Sequence, residues 1–305
     1  MTWRAAVVTA ILITWIVPGI ALAWGPGTHM ALAGDVLEML HLLPAAVAVI
    51  VARHRRDFLF GNIAADVVMG KRLSRIKQVC HHWDTGFSML EEAPTKRGRA
   101  FAYGYLAHLA ADTVAHNKFL PRQMTLSRTT MSLGHLYWEL RADAAVSPEQ
   151  WRQLRQLLSE VFAEHHANLH ARLTDTFLPF GVNWRLFYQM NRFATRQGWR
   201  KAIRRWDQVS RWHLPDQLIR DYRAECRQRI LDVLKYQRES SVCHEDPNGN
   251  AALAYTRHQR RQLRQMTRVG VIAPHIYYEA ALGHAPSVRL NVDAHHHAAS
   301  SSAGV

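Results

Sequence analysis

Apolar residues recur at intervals of three and four along most of this 305-residue chain, and polar residues fill the positions between them. This interval is the period of an amphipathic helix. It predicts helices over residues 28–43, 97–116, 147–173, 214–239 and 251–266. Signals for strands are sparse, and strands do not alternate with helices as they do in proteins with a parallel sheet. The pattern therefore predicts an all-α fold, built as a multi-helix bundle.

Local signals mark two helix starts and one loop. Thr28 stands where the N-cap of the first predicted helix is expected. Ser147 is followed by Pro148 and Gln150, which is the arrangement of a capped helix start. Residues 239–250 are polar and rich in turn-forming residues, so they predict a loop.

The N-terminus has the features of a secretory signal peptide: a basic start, an apolar run and a small-residue site that ends at Ala23. An uncleaved membrane anchor is the alternative, because residues 5–23 are nearly long enough to span a bilayer. We expect cleavage, because Pro18 and Gly19 break the helix just before the site. The mature chain would then begin at Trp24 and be exported, to a periplasm or out of the cell.

Composition narrows the class of protein. A hydrophobic content of 48% is enough for the core of one large domain or two smaller ones. The chain has three cysteines, Cys80, Cys226 and Cys243, which are too few for a fold built on disulfides. They allow at most one disulfide bond, for which Cys226 and Cys243 are a candidate pair. The net charge is +14, and Lys and Arg crowd residues 192–268. Such a surface would attract anions such as acidic lipid head groups or nucleic acid, although a solvated helix face is the alternative.

The predicted helix at 97–116 carries three residues of the types that bind metals. His108, Asp112 and His116 follow one another at intervals of four, so they fall within an arc of roughly 80° on one helix face. For the two histidines, the alternative is a hydrogen-bonded residue of the core. Other stretches add candidates of the same types, since zinc binds histidine and carboxylate side chains. These are His29, Asp66, His81, His82, His135 and Glu139.

The order of these candidates resembles the zinc-dependent phospholipases C of bacteria and, more distantly, the fungal zinc nucleases that share their helical scaffold. The resemblance rests on AWGPGTH, FLFGNIAAD, CHHWD, FAYGYLAHLAADTVAH and GHLYWELRAD, in that order. It covers about residues 24–143. We therefore predict a signal peptide over 1–23, phospholipase-like catalytic helices over 24–146, a basic helical second half over 147–290, and a disordered tail over 291–305. The second half belongs to the same domain or to an appended one.

The resemblance implies a helical bundle that encloses a multinuclear site of up to three zinc ions. It implies that one zinc is held by Asp66, His81, His108 and Asp112. The second is held by His116, His135 and Glu139. The third is held by His29 and by the amine and carbonyl of Trp24, with Asp112 as a bridge to the first. Cleavage before Trp24 would free that amine. His81 fits the family spacing from Asp66 better than His82 does.

The resemblance also implies a reaction. A hydroxide held between the ions bridged by Asp112 would attack the phosphorus of a phosphodiester, and Asp66 is the expected residue to orient or deprotonate the water. We therefore expect a zinc-dependent phospholipase C that hydrolyses phospholipid head groups at a membrane surface, with no obligate protein partner. The alternatives are a zinc nuclease that acts on single-stranded nucleic acid and a non-catalytic, zinc-stabilised protein that docks on membranes.

Overall fold

A computed structural model describes residues 24–68, 79–127, 131–174, 176–210, 212 and 214–270. The predicted signal peptide and the predicted disordered tail lie outside these residues. The described residues form helices, short helical turns and loops, with no strand among them. The predicted all-α class is therefore confirmed. No helix in the described part is both long and apolar enough to cross a bilayer.

The helices are numbered here in chain order. They are α1 (Pro26–Glu38), α2 (Ala45–Arg53), α3 (Arg55–Ala64), α4 (Trp83–Glu91), α5 (Lys96–Val114), α6 (Leu120–Leu126), α7 (Met131–Ala144), α8 (Pro148–Leu157), α9 (Ala163–Arg172), α10 (Phe180–Ala194), α11 (Gln197–Gln208), α12 (Asp216–Tyr236) and α13 (Asn250–Arg268). Short 3₁₀ turns include Ala65–Val67 and Val79–His81, and a π-helical segment, Ala115–Phe119, links α5 to α6.

The chain divides into two compact units, Met1–Ala254 and Tyr255–Val305. The described residues of the second unit continue α13 to Arg268. Within the first unit, α1 packs on α8 and α5 packs on α12. Helices from both sides of the predicted division after residue 146 thus contact one another, and that division stays a prediction.

Helix α5 lies at the centre of the first unit. Its residues from Ala100 to Val114 are all buried, and it packs against α3, α4 and α12. The crossing of α3 and α5 is unusually close, because a Cβ on Gly104 would lie 2.0 Å from the Phe58 carbonyl oxygen. A Cβ on Gly61 would likewise lie 2.0 Å from the Phe101 carbonyl oxygen. The two glycines therefore let the backbones of α3 and α5 touch.

The predicted helix over 147–173 is broken in the structure. Helix α8 ends at Leu157 and α9 begins at Ala163. Between them, Phe162 turns inward and stacks on Phe60 with ring centroids 4.2 Å apart. Burial of this ring outweighs the local preference for a continuous helix.

The predicted start of the 147–173 helix is confirmed, and the predicted N-cap at Thr28 is wrong. Ser147 caps α8 by accepting a hydrogen bond from the Gln150 backbone. Helix α1 begins at Pro26, so Thr28 lies inside its first turn. The cap comes instead from Asp143 on α7, whose carboxylate accepts hydrogen bonds from the backbone nitrogen of Thr28 at 2.8 Å and of Gly27 at 3.2 Å, and from the Thr28 hydroxyl at 2.7 Å.

The disulfide considered for Cys226 and Cys243 is not formed, and Cys80 is free as well. The Cys226 thiol is buried beneath α5 and donates to the Ala111 carbonyl oxygen at 3.7 Å. The Cys243 thiol donates to the Gln237 carbonyl oxygen at 3.4 Å. Each thiol is thus held within its own local packing.

Candidate metal centre

The carboxylate of Asp112 lies at the centre of a cluster of histidines. Asp112 is fully buried in the last turns of α5. Its oxygens lie 3.1 Å from His81 Nε2, 3.2 Å from His108 Nε2 and 3.4 Å from His29 Nε2. Three separate elements therefore converge here: α1, the turn Val79–His81 and α5 itself.

The backbone of α3 fixes the orientation of His108. His108 Nδ1 lies 2.8 Å from the Asn62 carbonyl oxygen. Since a carbonyl oxygen only accepts hydrogen bonds, Nδ1 carries a proton, and Nε2 is the ring nitrogen that faces the cluster. The close crossing at Gly61 and Gly104 brings this carbonyl within reach.

Asp66 completes the group from the turn that follows α3. Its Oδ1 lies 3.4 Å from His81 Nε2 and 4.0 Å from His108 Nε2. The side chain of Asp66 is 12% exposed, whereas that of Asp112 is 0% exposed. Asp66 therefore lies at the solvent-facing side of the group. His81 is buried in the cluster, and the neighbouring His82 is exposed.

The polar atoms of this group are arranged for binding a metal rather than for hydrogen bonding to one another. Both ring nitrogens of His29 and both oxygens of Asp112 are buried and make no hydrogen bond within the described residues. The Nε2 atoms of His81 and His108 face each other at 3.2 Å. Two sets offer ligand atoms within 4.8 Å of one another, His29 with Asp66 and His108, and His81 with His108 and Asp112. Buried polar atoms that converge without hydrogen bonds are typical of metal ligands.

The protonation states also suit zinc. Burial lowers the pKa of His29, which favours the neutral imidazole that binds metals. Burial raises the pKa of Asp112, but the imidazoles of His108, His29 and His81 outweigh it and hold that pKa well below its usual range. The ionised Asp112 carboxylate and the neutral His29 imidazole are donors of the kinds that zinc binds.

A second group lies one turn further along the chain. His116 falls on the π-helical segment, and its ring lies 5.4 Å from the ring of His135. His135 Nε2 lies 3.2 Å from Glu139 Oε1 on the same face of α7. The candidate ligand atoms of these three residues do not all lie within 4.8 Å of one another, as those of each set in the first group do. The structure thus brings the predicted residues together as neighbours, and their joint role as ligands stays a prediction.

Trp24 is anchored against the helix that carries the cluster. Its indole Nε1 donates to the Ala111 carbonyl oxygen at 3.3 Å, and its ring stacks on Phe119 with centroids 4.6 Å apart. Ala111 immediately precedes Asp112. The side chain therefore holds this part of the chain at the cluster, and the predicted binding of zinc by the Trp24 amine stays a prediction.

Sequence reasoning missed a segment that supports the predicted ligands from outside, residues 245–249. His116 Nδ1 donates to the Pro247 carbonyl oxygen at 2.6 Å, which turns its Nε2 away from that segment. Asn248 Nδ2 donates to the His81 carbonyl oxygen at 3.1 Å. Gly249 has φ +59, and a Cβ there would lie 2.4 Å from the His116 carbonyl oxygen. The turn-forming residues of this segment predicted a loop, but no local sequence signal indicated that the loop contacts the cluster.

Comparison with known proteins agrees with this geometry. The sequence model of the family Zinc dependent phospholipase C matches residues 28–178. That stretch contains His29, Asp66, His81, His108 and Asp112, which form the first group. Residues 28–178 thus match the zinc-dependent phospholipase C family. Neither the curated proteins nor the solved structures give a match.

Proposed function

We propose that this protein is a phospholipase C, which uses zinc to hydrolyse the phosphodiester bond between diacylglycerol and a phospholipid head group. The observation that carries the proposal is the buried Asp112 carboxylate, which three imidazole nitrogens approach within 3.4 Å without hydrogen bonding to it. The match to a zinc-dependent family supports the choice of metal.

The residues divide between holding zinc and serving the reaction. His29, His81, His108 and Asp112 would hold it, and His116, His135 and Glu139 would extend the site. Bound zinc would lower the pKa of a water from about 15.7 towards about 7 and neutralise charge on the phosphoryl oxygens. Asp66 is the candidate general base, because it is the most exposed carboxylate of the first group and can accept a proton from water.

The proposal includes a membrane substrate and an exported protein. Phospholipid at a membrane surface is the expected substrate, and the predicted signal peptide would bring the enzyme to a periplasm or the cell exterior. Removal of residues 1–23 would leave the Trp24 amine free to bind zinc. N-terminal sequencing of the exported protein tests this, and a mature chain that begins anywhere but Trp24 would contradict it.

The test of the proposed activity uses zinc-loaded protein that begins at Trp24, with vesicles of mixed phospholipids. Mass spectrometry should detect diacylglycerol and a phosphorylated head group. The variant Asp112→Asn should release neither. A matched control is Asp57→Asn, because Asp57 is also buried and bonds a histidine, His165 Nε2 at 2.7 Å, but lies outside the cluster.

The control should retain head-group release per folded molecule. If wild-type protein that is shown to hold zinc releases no head group, the phospholipase proposal is contradicted. Cleavage of single-stranded nucleic acid by the same sample would then favour the nuclease alternative, for which the net charge of +14 is the supporting observation.

A further inference from the structure

Helices α10 and α11 carry an unusual concentration of positive charge and aromatic rings. Residues 176–206 contain seven Lys and Arg, eight aromatic residues and no Asp or Glu. The family match ends at residue 178, so residues 179–206 lie outside it. Basic helices with aromatic residues are typical of proteins that bind at the surface of anionic membranes.

The charges lie on one exposed face of each helix. On α11, Lys201, Arg204 and Arg205 are exposed, and Ile203 is buried on the opposite side. On α10, Arg185 and Arg192 are exposed, and Phe187 is buried. The basic face is defined here as the five exposed residues Arg185, Arg192, Lys201, Arg204 and Arg205.

The positive charge of the basic face is not paired with carboxylates among the residues that the structure describes. No residue of the basic face forms an ion pair with a carboxylate of the described residues. Burial, followed by the nearby charges of Arg204 and Arg155, lowers the pKa of the adjacent Arg200. Asp207, the first acid after this stretch, already pairs with Arg141. The region therefore has charge available for an external anion.

Exposed apolar side chains flank the basic face. Phe177 is 57% exposed, Val182 43%, Trp206 39% and Val209 80%. A nucleic acid would leave the aliphatic side chains of Val182 and Val209 in water, whereas the boundary between head groups and acyl chains would bury them. Charge complementarity and the apolar residues together favour a lipid surface over a polynucleotide.

We propose that the basic face and its flanking apolar residues dock this protein on anionic phospholipid membranes. Helix α11 packs directly on α7 through the ring contact of Trp206 with Tyr137, at 5.1 Å, and the ion pair of Asp207 with Arg141. Helix α7 also carries His135 and Glu139. Docking would thus hold the proposed metal centre at its lipid substrate. The benefit of docking for catalysis rests on the proposed function, whereas membrane binding itself does not.

The test is co-sedimentation of the full mature chain with vesicles of phosphatidylglycerol and phosphatidylcholine, compared with phosphatidylcholine alone. The variant removes three charges, by Arg185→Gln, Lys201→Gln and Arg205→Gln. Each basic residue near an anionic surface contributes about 1 kcal/mol. The variant should therefore bind the anionic vesicles roughly 100-fold more weakly. Wild-type binding should also weaken as salt rises.

The matched control removes the same charge from another exposed basic helix, α13, by Arg257→Gln, Arg261→Gln and Arg264→Gln. It should keep most of the binding. Equal losses in the two triple variants, or binding that does not depend on anionic lipid, would overturn the proposal. Preference for single-stranded nucleic acid over the anionic vesicles would overturn it too.

A soluble short-chain phosphodiester separates docking from catalysis. The α10–α11 variant should hydrolyse it as wild type does, because hydrolysis of this substrate needs no surface. Vesicle binding without any hydrolysis would leave the docking proposal standing and remove the phospholipase proposal. Hydrolysis without vesicle binding would overturn the docking proposal and leave the phospholipase proposal standing.

Discussion

The close crossing of α3 and α5 gives a sharp test of how the fold positions the cluster. In Gly104→Ala, the new Cβ would lie 2.0 Å from the Phe58 carbonyl oxygen and 2.9 Å from the Asn62 nitrogen. Carbon and oxygen do not approach closer than about 3 Å without strain, so α3 must move by about 1 Å. Both obstacles are backbone atoms, so no side-chain rotation can relieve the clash.

The displacement should reach the cluster through two residues. Asn62 holds His108 through its carbonyl oxygen at 2.8 Å, and Asp66 follows α3 directly. Overpacking in a core costs about 1–3 kcal/mol. Disturbing an outer partner of a metal-binding histidine weakens metal affinity by about 10–100-fold. We expect Gly104→Ala to lose both stability and zinc affinity by these amounts.

Gly34→Ala is the matched control, because it lies in α1 and a Cβ there meets nothing within 4 Å. Alanine is favoured over glycine inside a helix by about 1 kcal/mol, so this variant should be slightly more stable with unchanged zinc affinity. Urea unfolding and competition with a zinc chelator measure both quantities. Wild-type stability and zinc affinity in Gly104→Ala would refute the claim that this crossing positions the cluster.

Three further predictions concern the surroundings of the cluster. Asn248→Ala removes the hydrogen bond to the His81 carbonyl oxygen and should weaken zinc binding about 10-fold or more in chelator competition; unchanged affinity would show that residues 245–249 do not support the ligands. Burial raises the pKa of Asp143 to about 6 despite its three hydrogen bonds. Its protonation therefore stabilises the fold below about pH 4, and this contribution is lost as the pH rises through about 6. The stability of metal-free wild type relative to metal-free Asp143→Asn should accordingly fall over that range in urea titrations, and a flat difference would contradict the burial argument. Chelation of zinc should lower the unfolding temperature, because free zinc at a thousandfold its Kd stabilises the folded state by about 4 kcal/mol per site; an unchanged temperature on chelation of zinc-loaded protein would exclude a stabilising cluster.

Local patterns predicted the all-α class and the shared helix face of His108 and Asp112. The spacing of His108 and Asp112 on one apolar helix face requires only the geometry of a helix, and the structure places both side chains in the cluster. The start of α8 at Ser147 was also readable, because a cap and its partner lie three residues apart. Features that depend on neighbours in sequence are therefore within reach of sequence reasoning.

Features that depend on residues distant in sequence were not predicted. Asp143 caps α1 across 115 residues, and Pro247 supports His116 across 131. The break between α8 and α9 arises because Phe162 stacks on Phe60, about which the local sequence says nothing. Such contacts are set by packing rather than by periodicity, so a local pattern carries no trace of them.

The residues around Asp112 are proposed to form a zinc site, and the metal content of the purified protein tests this directly. Zinc should be measured by mass spectrometry in wild type, Asp112→Asn and Asp57→Asn, each beginning at Trp24 and shown to be folded. Zinc is expected in wild type and in Asp57→Asn, with a clear loss of zinc in Asp112→Asn. Equal zinc in all three proteins, or no zinc in wild type after loading, would contradict it.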